Sequence, residues 1–172
     1  MESSRRDPPR ALHRPPGPTP PFAIREATTD ADWRRVRAVR QRVFVEEQAC
    51  PPEEEWDEHD APALRGRSVR HLLGLADGRP VACARWRAVD VGGEAWVKLE
   101  RFAVLPAWRG RGLARQLVAH ALADARAAGH GRFVLHAQTY AAGLYAAFGF
   151  EPVGGTFDEA GIEHVKMTLT DP

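Results

Sequence analysis

The sequence predicts a mixed α+β fold: a central sheet that is mostly antiparallel, flanked by helices, with a parallel crossover in its second half. Three observations predict it. Two strand–turn–strand patterns follow one another between residues 69 and 105, a strand–helix–strand pattern runs from residue 94 to residue 137, and no internal repeat interrupts this order. The chain's 172 residues suit one domain, long enough to bury roughly 70% of its unfolded surface in a single core.

The elements follow in order. Residues 1–21, "MESSRRDPPRALHRPPGPTPP", are dominated by proline, which lacks an amide donor, and predict a disordered or polyproline-like tail, leaving residues 22–172 as the domain. "FAIREA" (22–27) alternates as a first strand. Thr29 or Asp30 then caps a helix whose stripe of Trp33, Val36, Val39, Val43 and Phe44 carries it through Glu47. The prolines of "CPPEEEWDEHD" stop that helix and predict a loop or short helical turn. From Val69 to Val91 the pattern is strand-like, broken at Asp77-Gly78, a dipeptide suited to a tight hairpin; Gly92-Gly93 makes the next turn into "EAWVKLERFAVL", which ends at Pro106. Leu113, Leu117, Val118, Ala121, Leu122 and Ala125 share one face of a helix that Gly129 ends. "RFVLHA" (132–137) is the crossover's second strand, and "YAAGLYAAF" is a short helix ended by Gly149. Phe150–Val153 and His164–Leu169 complete the sheet.

Composition narrows the function classes. With 24 basic and 23 acidic residues, no global charge points to a nucleic acid or an anionic membrane, and the arginine-rich stretches are interleaved with acids and lack a stacking platform. No apolar run approaches the roughly 20 residues needed to span a bilayer. Cys50 and Cys83 stand alone with no CxxC spacing, as expected of a reduced, cytoplasmic protein with structural thiols.

One stretch carries chemistry of its own. In "VLPAWRGRGLARQL" (104–117), Gly110 and Gly112 alternate with Arg109 and Arg111 between a strand and a helix. Helix-start amides lack partners within the helix and carry partial positive charge, and glycine admits close approach to the main chain, so this loop suits a phosphate or pyrophosphate.

The element order, together with Arg109, Gly110, Arg111, Gly112, Leu113 and Ala114, resembles the Gcn5-related N-acetyltransferases (GNAT), whose loop reads Gln or Arg, two free positions, Gly, one free position, and Gly or Ala. "AGLYAAFGF" (142–150) is similar to that family's aromatic-Tyr segment followed by Gly-Phe. "VFVEEQACP", "DEHD", "AQTYA" and "EAGIEHVKM" look like a bacterial branch of predicted acyltransferases. The resemblance covers residues 22 to 170 and implies a GNAT-like sheet, acetyl-coenzyme A as cosubstrate and no metal. It also implies that the amides of Arg109 to Ala114 hold the pyrophosphate and that the strand with Phe102 and Val104 lies along the pantetheine arm. Gln138 stands where the family usually has an asparagine that contacts the coenzyme's amide. Tyr145 matches the tyrosine placed beside the sulfur, as proton donor to the thiolate.

Transfer to an amine also needs a base, because an amine with a pKa near about 10.4 is protonated at neutral pH. Glu100, a carboxylate in an apolar strand, is the first candidate; burial is expected to raise its pKa, and the alternative is an ion pair with Lys98 or Arg101. His136 on the next strand is the second. The acidic run "EEEWDEHD" (53–60) is either a solvated face or, through Glu54, Glu55 and Asp57, a wall that recognises a cationic amine; its His and Asp spacings match no established metal-ligand set. The leading function is therefore N-acetyl transfer from acetyl-coenzyme A to a primary amine, on a small molecule or an exposed protein amine, by direct attack in a ternary complex. A non-catalytic acyl-coenzyme A binding regulatory domain is the alternative, and the oligomeric state stays open between monomer and homodimer.

Overall fold

A computed structural model describes residues 21–172; the Pro/Arg-rich tail expected over residues 1–21 lies, apart from Pro21, outside the described residues. The chain runs β1 (Phe22–Glu26), α1 (Asp30–Arg40), α2 (Pro52–Glu55), β2 (Val69–Ala76), β3 (Arg79–Val91), β4 (Glu94–Val104), α3 (Leu113–Ala127), β5 (Arg132–Gln138), α4 (Ala142–Ala146), β6 (Glu151–Glu159) and β7 (Ile162–Thr170). The strands form one seven-stranded sheet in the order β1-β2-β3-β4-β5-β7-β6. Only β4 and β5 are parallel, so the predicted mixed sheet and its single crossover through α3 both stand.

Thr29 caps α1, its hydroxyl accepting from the Asp32 amide at 3.1 Å. The predicted continuation to Glu47 is helical, but Gln41–Glu47 winds as a π-helix, closed by the Gln48 amide donating to the Val43 carbonyl at 3.1 Å. The acidic run is folded as α2 and a 3₁₀ turn at Glu58–Asp60, which Asp57 caps. The last hairpin is longer than its apolar residues suggest. β6 is an edge strand exposed along nearly all its length, so it carries no alternating burial to read; hydrogen bonding to β7 extends it through Gly154-Gly155 to Glu159.

The sheet has two unequal faces. On one, Leu117, Val118, Ala121 and Leu122 of α3 pack against Leu72, Trp86, Val97, Leu99, Phe133 and Leu135. On the other, Val36, Val39 and Val43 meet Leu73, Cys83 and Ala103. A leucine such as Leu117, with no exposed surface, costs about 2–5 kcal/mol when cut to alanine.

Two irregularities shape the middle of the sheet. The β3–β4 register slips between Cys83 and Arg85, so that β4 holds one extra residue there, and Arg101 takes a positive φ of 57°. The bulge turns Phe102 and Val104 onto the α3 face already occupied by Val97 and Leu99. The second is a split: β4 and β5 pair only at Val97↔Phe133 and Lys98↔Val134. Beyond those pairs the strands part.

Candidate active site

A cavity of about 520 Å³ fills the split. Its size is that of a small-molecule pocket. β4 lines it from Lys98 to Val104, β5 contributes His136 and Gln138, α4 contributes Leu144 and Tyr145, and the π-helix and its exit contribute Val43, Phe44, Gln48 and Cys50.

The edge of β4 facing β5 is open. Leu105 donates its amide to Val81 of β3 at 2.9 Å, so strand alternation turns the main-chain groups of Val104 and Phe102 the other way, into the split. The Val104 carbonyl there accepts from Arg109 Nε at 3.0 Å.

At the end of that edge lies the glycine loop. Gly110 and Gly112 have φ of 72° and 75°, the left-handed conformation that only glycine adopts freely, and a Cβ on either would meet nothing within 4 Å. Gly112 caps α3 without a side-chain acceptor. The amides from Gly110 to Arg115 donate to no backbone or side-chain acceptor among the described residues; the Gln116 amide is the next one bonded, to the Gly112 carbonyl. A row of free amides at the start of a fifteen-residue helix fits a pyrophosphate. Arg109 is corrected in part: its amide closes the preceding turn on the Pro106 carbonyl, and its guanidinium binds both oxygens of Glu47 at 2.6 and 2.7 Å. The cradle is therefore shifted one residue onward, to Gly110–Arg115.

Tyr145 lines the cavity with its ring edge-on to Phe102 and Phe150. Its hydroxyl makes no hydrogen bond among the described residues, and burial, with Tyr140 nearby, pushes the phenol well above its ordinary value. It thus stays protonated and keeps a donor free. Gln138 also lines the cavity, but its amide already donates to Gln48 and accepts from the Tyr140 hydroxyl.

Glu100 requires correction. Its carboxylate, only 8% exposed, accepts from Arg85 Nε at 2.9 Å and Arg87 Nε at 2.8 Å, with Lys98 Nζ at 3.7 Å. Burial pushes the carboxyl up, but Arg85, Arg87 and Lys98 pull it down further, and it sits below its ordinary value. The expected rise does not occur. The ion-pair alternative describes the residue better, with two arginines of β3 in place of Arg101.

The acidic segment is likewise bound inward. Asp57 grips Arg85 through two bonds of 2.7 and 2.6 Å, Asp60 binds Arg40 and Arg85, and Glu55 accepts from the buried Arg40 and forms an ion pair with Arg101. Buried charges persist only when paired in this way. Glu54 and Glu55 line the cavity and Asp57 does not. Of the expected acceptor wall, Glu54 alone faces the cavity without an ion pair among the described residues.

Sequence reasoning missed Glu159 and His164, which reach the cavity from the last hairpin, Gln48, which reaches it just past the π-helix, and Glu47, which holds Arg109 at its rim. The "EAGIEHVKM" segment carried the first two and "VFVEEQACP" the others, but neither segment assigned them a role. No group of three or more potential metal ligands occurs among the described residues. No helix there is long and apolar enough to cross a membrane.

Comparison with known proteins agrees with this geometry. The model of the acetyltransferase (GNAT) domain matches residues 44–171. The uncharacterised protein YyaT of Bacillus subtilis (strain 168) is 35% identical over 145 residues, 84% of this chain and 93% of its own. The uncharacterised N-acetyltransferase YjcF of the same organism is 38% identical over 133 residues, 75% of this chain and 86% of its own. The crystal structure of an acyl-CoA N-acyltransferase from Pseudomonas aeruginosa superposes with a TM-score of 0.73 at 30% identity, covering 87% of this chain and 99% of that one.

Proposed function

The chain belongs to the GNAT acetyltransferase family, and on that footing we propose that it moves an acetyl group from acetyl-coenzyme A to a primary amine by direct attack in a ternary complex. One observation carries the reading: free helix-start amides, an open strand edge and an unpartnered tyrosine hydroxyl border one continuous split in the sheet. The amides of Gly110–Arg115 would hold the pyrophosphate, and the open groups of Phe102 with the amide of Val104 the pantetheine arm, with Gln138 at its amide. Bound acetyl-coenzyme A supplies an activated acyl carbon. The chain's own part is to orient it, to offer a main-chain donor near Phe102 to the carbonyl oxygen, and to protonate the leaving sulfur from Tyr145.

A free donor at Tyr145 favours turnover over the non-catalytic alternative. Glu54, facing the cavity uncompensated, supports a cationic acceptor. The free thiols of Cys50 and Cys83 suit a reducing cytoplasm. Calorimetry with acetyl-coenzyme A, followed by a panel of primary amines with release of free coenzyme A as the readout, tests the proposal. Binding with release identifies an enzyme, and binding with no release from any amine identifies a binding domain.

A further inference from the structure

The charged groups of the cavity beyond β4 are not equivalent. Glu100 is buried and paired with Arg85, Arg87 and Lys98, and is poorly placed to gain a proton at neutral pH. His164 on β7 is nearly buried and turns Nδ1 to the Ile162 carbonyl at 2.8 Å. Cys50 is held as a thiol by burial. His136 on β5 differs from all three: its side chain is 32% exposed, and its Nδ1 lies 3.0 Å from Glu159 Oε2 at the end of β6.

That contact determines the ring's chemistry. The hydrogen bond from His136 keeps Glu159 below its ordinary carboxyl value, so Glu159 is an anion that can only accept. The proton of the neutral imidazole therefore sits on Nδ1, and the lone pair sits on Nε2, which has no hydrogen-bond partner among the described residues. Phe157 packs edge-on at 4.9 Å between centroids and fixes the ring plane. A ring nitrogen left basic by a carboxylate on its opposite nitrogen is the arrangement from which a proton can be taken.

Resting on the acetyltransferase reading above, we propose that His136 takes the proton of the acceptor amine and that Glu159 is its positioning residue. One proton passes from the acceptor's ammonium to His136 Nε2, and the imidazolium, stabilised by Glu159, later returns it to water. The freed nitrogen lone pair forms the bond to the acyl carbon as the carbon–sulfur bond breaks. Tyr145 gives its proton to the leaving sulfur and recovers one from the nitrogen. The other groups around the ring are Lys98 and Glu100 of β4 and His164 and Lys166 of β7; Lys166 is the residue directly opposite His136 in the β5–β7 register.

The full chain is assayed with acetyl-coenzyme A and spermidine, tyramine, glycinamide and an alanyl peptide, and kcat/KM of the best acceptor is followed against pH. His136→Gln should lower it about a hundredfold at pH 7, and far less near pH 10, where the amine is already neutral. Glu159→Gln can donate as well as accept and so no longer compels the proton onto Nδ1; it should lower kcat/KM of the acceptor while leaving acetyl-coenzyme A affinity unchanged. A residue that only held the hairpin together would not set the tautomer of the ring. Nitrogen-15 spectra of the imidazoles, which need no acceptor, should show His136 as the Nδ1–H tautomer in the parent and shift it toward Nε2–H in Glu159→Ala. An active parent with a His136→Gln variant of equal rate, or an Nε2–H tautomer in the parent, overturns the proposal alone. If no amine releases coenzyme A, the acetyltransferase reading falls and the proposal falls with it.

Discussion

Asp57 and Arg85 face each other through two parallel hydrogen bonds of 2.7 and 2.6 Å, joining the acidic turn to the middle of the sheet. Arg85 is 1% exposed and has Asp60 and Glu100 as further partners, so the turn's charge is matched inside the fold. Asp57→Asn should destabilise the protein by about 2 kcal/mol, measured by denaturant unfolding, without raising the acceptor's KM. A raised KM with unchanged stability would return Asp57 to the acceptor wall.

The same pair sets a pH dependence. Burial pushes the Asp57 carboxyl up, but the Arg85 bonds, with Arg101 and His59 beyond, bring it down to about 2 from its ordinary 3.8. The folded value lies below the unfolded one, so its stabilising contribution is complete above about pH 4 and is lost as pH falls toward about 2. In Asp57→Asn the melting temperature should depend less on pH across that window.

Gly112→Val places a β-branched residue at a φ of 75°. The free protein has open space around the new Cβ, so the loss should come from backbone strain and from obstruction of the amide cradle. Acetyl-coenzyme A affinity should fall at least about tenfold, or 1.4 kcal/mol, by calorimetry. Equal affinity in a folded variant would remove the loop from the binding site.

Tyr145→Phe keeps the ring packed against Phe102 and Phe150 and removes one donor. Turnover should fall roughly a hundredfold while acetyl-coenzyme A affinity holds. Because burial raises the phenol's pKa, the deficit should persist across the alkaline range. A parental rate would make Tyr145 a packing residue.

Glu54→Gln tests the cationic acceptor. An exposed carboxylate contributes about 0.2–1 kcal/mol to such an encounter, so the acceptor's KM should rise by a factor of about 1.4 to 5 at low salt, with the difference shrinking as salt is added. An unchanged KM would leave the acceptor's charge to be set elsewhere.

What was legible in the sequence was local. The hairpin at Asp77-Gly78, the apolar stripe of α3 and the glycine loop each declare themselves within a dozen residues, and the structure forms all three. The acceptor side depends on long-range pairing. Arg40 meets Glu55 and Arg85 meets Asp57 across intervals of 15 and 28 residues, and no periodicity records such partners. The bulge at Arg101 was equally hidden, since an alternating strand reads the same until one residue is left over. His136 was visible, but the carboxylate that gives it a direction arrives from a strand whose exposed residues carried no pattern.

Glu47 and Gln48 are successive residues, yet they grip opposite lips of the split: Glu47 holds Arg109 beyond β4, and Gln48 holds Gln138 at the end of β5. Their reach depends on the wider winding of Gln41–Glu47, which accommodates one more residue per turn than the α1 coil before it. Rewinding those same residues as an α-helix, at about 100° per residue, would turn both side chains away from their partners. The two halves of the sheet would then lose their common clasp, although every residue that lines either lip would be unchanged.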